Sequence, residues 1–420
     1  MSAARPLPLG RNRDFTVFWV GQTFSVLGDA FSIIAIPLLV LEATGSLTMM
    51  GLVTAFYGVG SLVAGILGGP LVDRVDRRKL MIRCDLGRFA LYLLVPLGWW
   101  LFGPQLWLVF LVATLGSGLA MVFGVAYITA VANLVDRDQI TEANGRLQVS
   151  YALAFAIGPL LAGLVSERYG TVAAVGIDAC TFLVSAGSLA FVRLRRAAAE
   201  RRHEEGGRSQ EFLAGVRFLL VHPIFRWLTI LTGGLAFAST GITDLLIYYV
   251  KEDLGQGDRV VGLLFGVASL GAVASGLLVA RLRVRFGWGA SFVGGLVVQG
   301  LALLAIGAVP SVAGIALLTG LSIFGDSTRG VLTMTLRQEL TPDHLLGRVT
   351  AAFWTVFSVP GPIGALALTA FGERVGTPVA LSTVGVGILG LAGLALASPV
   401  RAREPGRRPD PAVFGAPADG

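Results

Sequence analysis

Long apolar stretches alternate with short charged ones along the chain, and the apolar stretches have the length of a bilayer crossing. From Leu91 to Tyr127 there is no Asp, Glu, Lys, Arg or His, whereas about 20 apolar residues suffice to span a membrane. Repeated along the sequence, the rhythm predicts twelve spans, at 15–42, 47–71, 80–102, 105–134, 143–166, 170–194, 224–250, 259–280, 287–308, 311–336, 346–371 and 375–398. Backbone polar groups in hydrocarbon must be satisfied within their own segment, so these spans are expected to be helices. The short alternating segments of a membrane β-barrel are absent.

Composition agrees with this pattern. The chain is 54% hydrophobic and 14% charged, with a mean hydropathy of +0.75, while a soluble domain carries about 25% charged residues. The net charge of +7 changes the picture only through its placement. With both termini cytoplasmic, every one of the 33 Lys and Arg except Arg168, Lys251, Arg259 and Arg374 falls in a cytoplasmic segment or the cytoplasmic half of a span. That asymmetry is the positive-inside rule. The basic charge therefore reports topology in a cell (inner) membrane, and nucleic-acid binding is not expected. The basic opening segment reads as a cytoplasmic tail, since the apolar run after it exceeds a signal h-region.

The longest polar stretch, Arg193–Arg208, divides the chain into two sets of six spans. The expected organisation is a tail at 1–14, a six-helix bundle at 15–194, a linker at 195–223, a second bundle at 224–398 and a disordered tail at 399–420. Within the linker, Phe212, Leu213, Val216, Leu219 and Leu220 form one apolar face after a possible N-cap at Ser209, which predicts an interfacial amphipathic helix. The two halves resemble each other. Gly145-Arg146, Gly158-Pro159 and SERYG (Ser166–Gly170) in the first are matched by Gly347-Arg348, Gly361-Pro362 and GERVG (Gly372–Gly376) in the second. An internal six-plus-six repeat is a transporter architecture, with substrate expected near midplane.

One loop and one span carry more specific signals. Between spans two and three the chain reads Gly69-Pro70-Leu71-Val72-Asp73-Arg74-Val75-Asp76-Arg77-Arg78-Lys79, which resembles the GxxxDRxGRR loop of the major facilitator superfamily. Asp76 stands where the second glycine is usual, a form similar to the branch containing enterobactin and macrolide exporters. The resemblance implies a conformational latch in which Asp73 sits near a helix N-terminus and the arginines reach acidic partners, Asp136 among them. The matching loop of the second half has Ala280 in place of the acid, so any latch is one-sided. In span five, Gly158-Pro159-Leu160-Leu161-Ala162-Gly163, with Ala154 one turn earlier, resembles the superfamily's exporter motif with alanine at two glycine positions. Small residues there permit close helix approach. Phe18-Trp19-Val20-Gly21-Gln22, Gly28-Asp29, Ile177-Asp178-Ala179 and Arg217 to Pro223 extend the likeness to the same branch.

Ionisable residues inside spans are costly, roughly 2.5–3.5 kcal/mol each at a span centre. Asp29 stands at the middle of span one with no basic residue within a turn, Asp244 in the outer part of span seven, and Asp326 in span ten with Arg329 three residues on. By resemblance, spans one, four, seven and ten line the central cavity, which makes Asp29, Asp244 and Asp326 candidate proton carriers, Asp29 first. Asp326 and Arg329 are spaced to neutralise each other. Asp85 and Arg88 look like a local pair, and Asp178 a buried hydrogen-bonding group. Gln22, Phe31, Tyr127, Tyr151, Phe237, Asp326, Arg329 and Trp354 are the expected cavity wall. Cys84 and Cys180 read as small buried hydrophobes, and His203, His222 and His344 are scattered. No metal, cofactor or enzymatic constellation is expected, and there is no GxxxxGK[ST] for ATP. The expectation is a monomeric all-α secondary transporter, a protein whose partners are a small-molecule substrate, protons and the lipid bilayer. It exports an amphipathic molecule (a siderophore or antibiotic, for example) by proton antiport, with an uncoupled facilitator or a lysolipid flippase as the alternative.

The topology is directly testable. A cysteine placed near Gly257 is expected to react with an impermeant thiol reagent added outside intact cells, and one at Gly206 is not. The opposite pattern would reverse the orientation.

Overall fold

The structure, a computed structural model, describes residues 9–136, 139–193, 216–342 and 345–404, the side chains of 67–74, 129, 132, 346–348, 351 and 357 excepted. Among these residues there is no strand. The long helices are α1 (Arg13–Thr44), α2 (Leu47–Arg74), α3 (Arg77–Phe102), α4 (Leu106–Leu111, a π turn at Val112–Gly116, then Ser117–Leu134), α5 (Ile140–Tyr169) and α6 (Thr171–Phe191). They continue with α7 (Pro223–Ser239, Ile242–Tyr248 and a π turn at Tyr249–Asp253), α8 (Asp258–Ala268 and Leu270–Phe286), α9 (Trp288–Ile306), α10 (Val312–Leu340), α11 (Leu346–Ser358 and Pro360–Val375) and α12 (Thr377–Leu396). Ten of them are long and apolar enough to cross a membrane. The other two, α3 and α10, are just as long but carry Arg83, Asp85 and Arg88, and Asp326, Arg329 and Arg337.

Local chemistry sets the helix ends. Asn12 caps α1 by accepting from the Phe15 N–H at 3.1 Å, while its amide donates to the Leu134 carbonyl at the end of α4. Ser46 caps α2 and Ser311 caps α10 in the same way. Each cap satisfies one of the four N–H groups that a helix start leaves free. At α9 the main chain does this work: the carbonyls of Arg403 and Ala402 accept from the N–H groups of Trp288 and Gly289 at 2.9 and 3.2 Å. The beginning of the tail expected to be disordered, 399–404, is thus fixed to α9. Most of the linker and its amphipathic segment lies outside the described residues. The described end of that segment is helical, with Phe218 and Leu219 buried.

Two compact units result, and they do not follow the six-plus-six division. The first comprises 1–202, 241–269 and 365–377; the second comprises 203–240, 270–364 and 378–420. In the first unit the latter part of α7, the first part of α8 and the end of α11 pack against α1, α2 and α5. One close crossing lies in the predicted exporter motif. A Cβ on Gly163 would stand 2.5 Å from the Asp258 carbonyl and 2.8 Å from the Gly262 Cα, and one on Gly262 would stand 2.5 Å from the Pro159 carbonyl. Gly158, in turn, leaves room for Ala30 of α1. In the second unit α9 and α10 cross at Gly295 and Gly325, and the Trp288 indole donates to the Leu332 carbonyl at 2.9 Å.

The sequence repeat is visible in the backbone. Gly170 and Gly376 occupy matching places with φ of 85° and 92°, a region in which a side chain is strained. The threonine after each glycine opens the next helix and donates to an acid, Thr171 to Glu42 at 2.5 Å and Thr377 to Asp253. Glu373, of the second repeat's motif, accepts from the Thr48 N–H and hydroxyl at the start of α2. Lys251 ties Asp258 at this same end and comes within 4.0 Å of Glu42. Of the two cysteines, Cys84 is buried as expected and Cys180 is exposed.

Overpacking of a close helix contact costs about 1–3 kcal/mol. Gly262→Val is therefore expected to lower the thermal unfolding midpoint in detergent, and Gly390→Ala, where nothing lies within 4 Å, to leave it unchanged. Equal effects would remove the α5–α8 crossing from the account.

Candidate functional site

Helices α1, α3 and α6 meet around a group of charges, and glycine lets them come close. A Cβ on Gly28 would collide with Thr181 and with the Asp178 carboxylate, and one on Gly21 with Ser188. Asp178 is fully buried and accepts hydrogen bonds from Ser32 of α1 and from Thr181, the latter at 3.2 Å. Arg88 of α3 reaches across to α1 and forms an ion pair with Asp29, the two side chains being 5% and 37% exposed. The guanidinium carbon lies 3.8 Å from the centre of the Phe182 ring, whose edge also meets Tyr92 with centroids 5.1 Å apart. Stacking on an aromatic face suits a guanidinium that has lost its water.

This arrangement corrects two expectations. Asp29 has no basic neighbour along its own helix, yet it is not alone, because its partner comes from 59 residues away on α3. Nor do Asp85 and Arg88 form the expected local pair. The long Arg88 side chain extends to α1, while Asp85 is fully buried near Ser185 with neither oxygen in a regular hydrogen bond. Asp29 holds the guanidinium, and the carboxyls of Asp85 and Asp178 lie within its electrostatic reach.

Other predicted residues take definite places. Gln22 donates to Ser185 at 2.8 Å and is 3% exposed, and Phe31 is 5% exposed. Both serve the packing of α1 and do not wall an open space. Tyr127 stacks on Phe18 and Phe123, and exposed Tyr151 stacks on Phe155 at 4.4 Å. Phe237 and Trp354 are exposed. In the second unit Arg329 donates to Asp326 at 2.5 Å, the side chains being 8% and 49% exposed. Arg337, two turns on, lies 4.6 Å from the ring of Phe353 and 5.7 Å from that of Trp354. Asp244 is buried and accepts from Thr54 of α2 at 2.7 Å.

The described charges of the loop after α2 lie at helix ends. Asp76 is the N-cap of α3, accepting from the Lys79 N–H at 3.1 Å. Arg78 donates to the carbonyls of Leu189 and Ala190 at the end of α6, the first at 2.7 Å. Helix C-termini leave carbonyls free and carry partial negative charge, so they serve as the arginine's acceptor. Arg77 has an intermediate burial. The side chains of Gly69, Asp73 and Arg74, and hence any link to Asp136, lie outside those described. Among the described residues no group of His, Cys, Asp and Glu is arranged to hold a metal ion.

Sequence reasoning missed Arg88 as the partner of Asp29. The available signal was a second charge at comparable depth in a neighbouring span. The pair makes a clear prediction, since a buried charge stripped of its partner costs about 3 kcal/mol or more, whereas loss of both charges is close to neutral. Asp29→Asn and Arg88→Gln are each expected to lower the unfolding midpoint in detergent, and the double variant to recover most of the loss. Additive losses would show that the two side chains act independently.

The likeness to known proteins covers nearly the whole chain. Enterobactin exporter EntS of Citrobacter koseri is 27% identical over 419 residues, covering 96% of this chain and 95% of that one. The protein of the same name from Escherichia coli is 27% identical over 391 residues, covering 89% of each. Among solved structures, the fold matches the nucleoside transporter NupG with a TM-score of 0.78 at 10% identity, over 91% of this chain and 99% of that one. It also matches a bacterial homologue of the lysosomal transporter Spinster with a TM-score of 0.73 at 13% identity, over 96% and 100%. The sequence profile of the Major Facilitator Superfamily matches residues 18–365. Helical architecture, exporter relatives and profile agree, and the chain belongs to the Major Facilitator Superfamily.

Proposed function

We propose that this transporter exports an amphipathic organic molecule across the inner membrane in exchange for protons, by alternating access, with both termini cytoplasmic. The observation that carries this reading is the Asp29–Arg88 pair. Asp29 is the open member, 37% exposed, while Arg88 is enclosed at 5%. A proton arriving at Asp29 cancels its charge and leaves the guanidinium in need of another anion. Loss of that proton restores the pair. Cargo that interacts with either member must therefore change proton affinity, and protons must change cargo affinity by the same factor. The Asp326–Arg329 pair of the second unit has the same form, an open acid beside an enclosed arginine.

The proposed cargo class is supported by the relatives, whose name specifies enterobactin, and by the exposed aromatic side chains Tyr151, Phe237 and Trp354, which suit ring-bearing molecules. In this scheme α3 and α10 also cross the bilayer, each carrying its charges to a partner, to make twelve spans. Asp73 and its basic neighbours bias the equilibrium between the two access states.

The test is uptake of enterobactin, a macrolide and a fluorescent dye into inverted membrane vesicles. With an acidic lumen, the wild type is expected to accumulate at least one of these probes. The Asp29→Asn/Arg88→Gln double variant is expected to lose accumulation against a gradient by more than tenfold while still equilibrating the probe. Undiminished, gradient-dependent accumulation by the double variant would overturn the coupling role of the pair.

A further inference from the structure

Asp244 lies outside the Asp29–Arg88 cluster, and its surroundings are of a different kind. It is on the second segment of α7, Ile242–Tyr248, just beyond the interruption at Thr240–Gly241 where the chain passes from one compact unit to the other. Its side chain is 2% exposed and receives a single hydrogen bond, from Thr54 of α2 at 2.7 Å. The helices packed around this segment carry other ionisable groups, and those are occupied elsewhere. On α1, Asp29 pairs with Arg88 and Glu42 accepts from Thr171. On α2, Tyr57 belongs to the surroundings of Asp29 and Arg88. On α11, Glu373 accepts from Thr48, and further along α7 Lys251 binds Asp258. No cation answers Asp244 among the described residues.

A carboxylate anion held by one hydroxyl in an enclosed site is far costlier than the neutral acid. The contact between α7 and α2 can therefore form at little cost only when Asp244 carries a proton. At the same end of the unit, two contacts join the helices that enclose Asp244: Thr48 of α2 donates to Glu373 of α11, and Lys251 of α7 comes within 4.0 Å of Glu42 of α1. If these contacts part, water reaches Asp244 and the charged form becomes affordable.

We propose that Asp244 is a second proton site, distinct from Asp29, whose proton is taken up from the outside and is required for α7 to close on Thr54 of α2. The inference rests on the proton-antiport reading for its use in transport, but its geometry concerns closure alone. Atoms and charge balance simply: one proton adds to the Asp244 carboxylate as the external end shuts and leaves when that end reopens. A single linked proton changes the ratio of closed to open molecules by up to about tenfold per pH unit.

The experiment uses the full-length protein in liposomes, with Cys84 and Cys180 replaced by alanine and spin labels on cysteines at Arg168 and Arg374, both exposed at this end. Pulsed electron–electron resonance then reads the label separation as a function of pH, without any cargo. Acidification is expected to shift the wild type from long to short separations, approaching tenfold per pH unit. Asp244→Asn and the similarly sized Asp244→Leu are expected to remain in the short distribution across the range. A wild-type distribution that ignores pH, or an unchanged pH response in both variants, would overturn the proposal. Because no transport is measured, failure of the vesicle assay would remove the antiport reading and leave this result standing, and the reverse also holds.

Discussion

Charge carried inside a lipid-spanning helix must be matched by another helix, because hydrocarbon offers neither water nor counter-ions. That constraint organises the first compact unit. The reach of Arg88 to Asp29 ties α3 to α1, the hydrogen bonds from Ser32 and Thr181 to Asp178 tie α1 to α6, and the bond from Thr54 to Asp244 ties α2 to α7. Each joins elements that apolar packing alone would hold without register. Glycines at 21, 28, 158, 163 and 262 supply the close approach these short side chains need. The two helices that fall short of the apolar standard for a membrane crossing, α3 and α10, are those that bring arginine to an acid.

The same reasoning connects structure to transport. An ion pair that is fully enclosed and fully satisfied would be inert. Asp29–Arg88 is neither, because the acid is partly open and the guanidinium Nε has no partner among the described residues. Two further carboxyls, on Asp85 and Asp178, share the neighbourhood. A site with more acid than base must hold protons to be neutral, and a site with an open member can exchange them. This is the physical reason behind the proposal that the cluster couples protons to transport.

Much of this was legible in the sequence, and what was not has an identifiable cause. Periodicity gave the helices, because span length and hydropathy are local properties. The repeat of SERYG and GERVG was visible, and it returned as matched left-handed glycines and matched threonine–acid bonds. Pairings across helices were beyond reach: Asp29 looked solitary because its partner is 59 residues away, and Gly163 gave no hint that Gly262 faces it. Asp76 and Arg78 were read through a family motif, yet the structure uses them for elementary work at helix ends, one capping α3 and the other closing the carbonyls of α6. Gln22 and Phe31 were placed by their span, but which face of a helix meets a neighbour is a tertiary fact.

The pairing of Asp29 with Arg88 is the central interaction, and solid-state NMR can observe it directly. With aspartate carboxyls labelled in carbon-13 and arginine side chains in nitrogen-15, the protein in liposomes is expected to show a dipolar contact between the Arg88 guanidinium and the Asp29 carboxyl, identified by its loss in Asp29→Asn. An Arg88 signal coupled to Asp85 instead, or to no carboxyl at all, would contradict it.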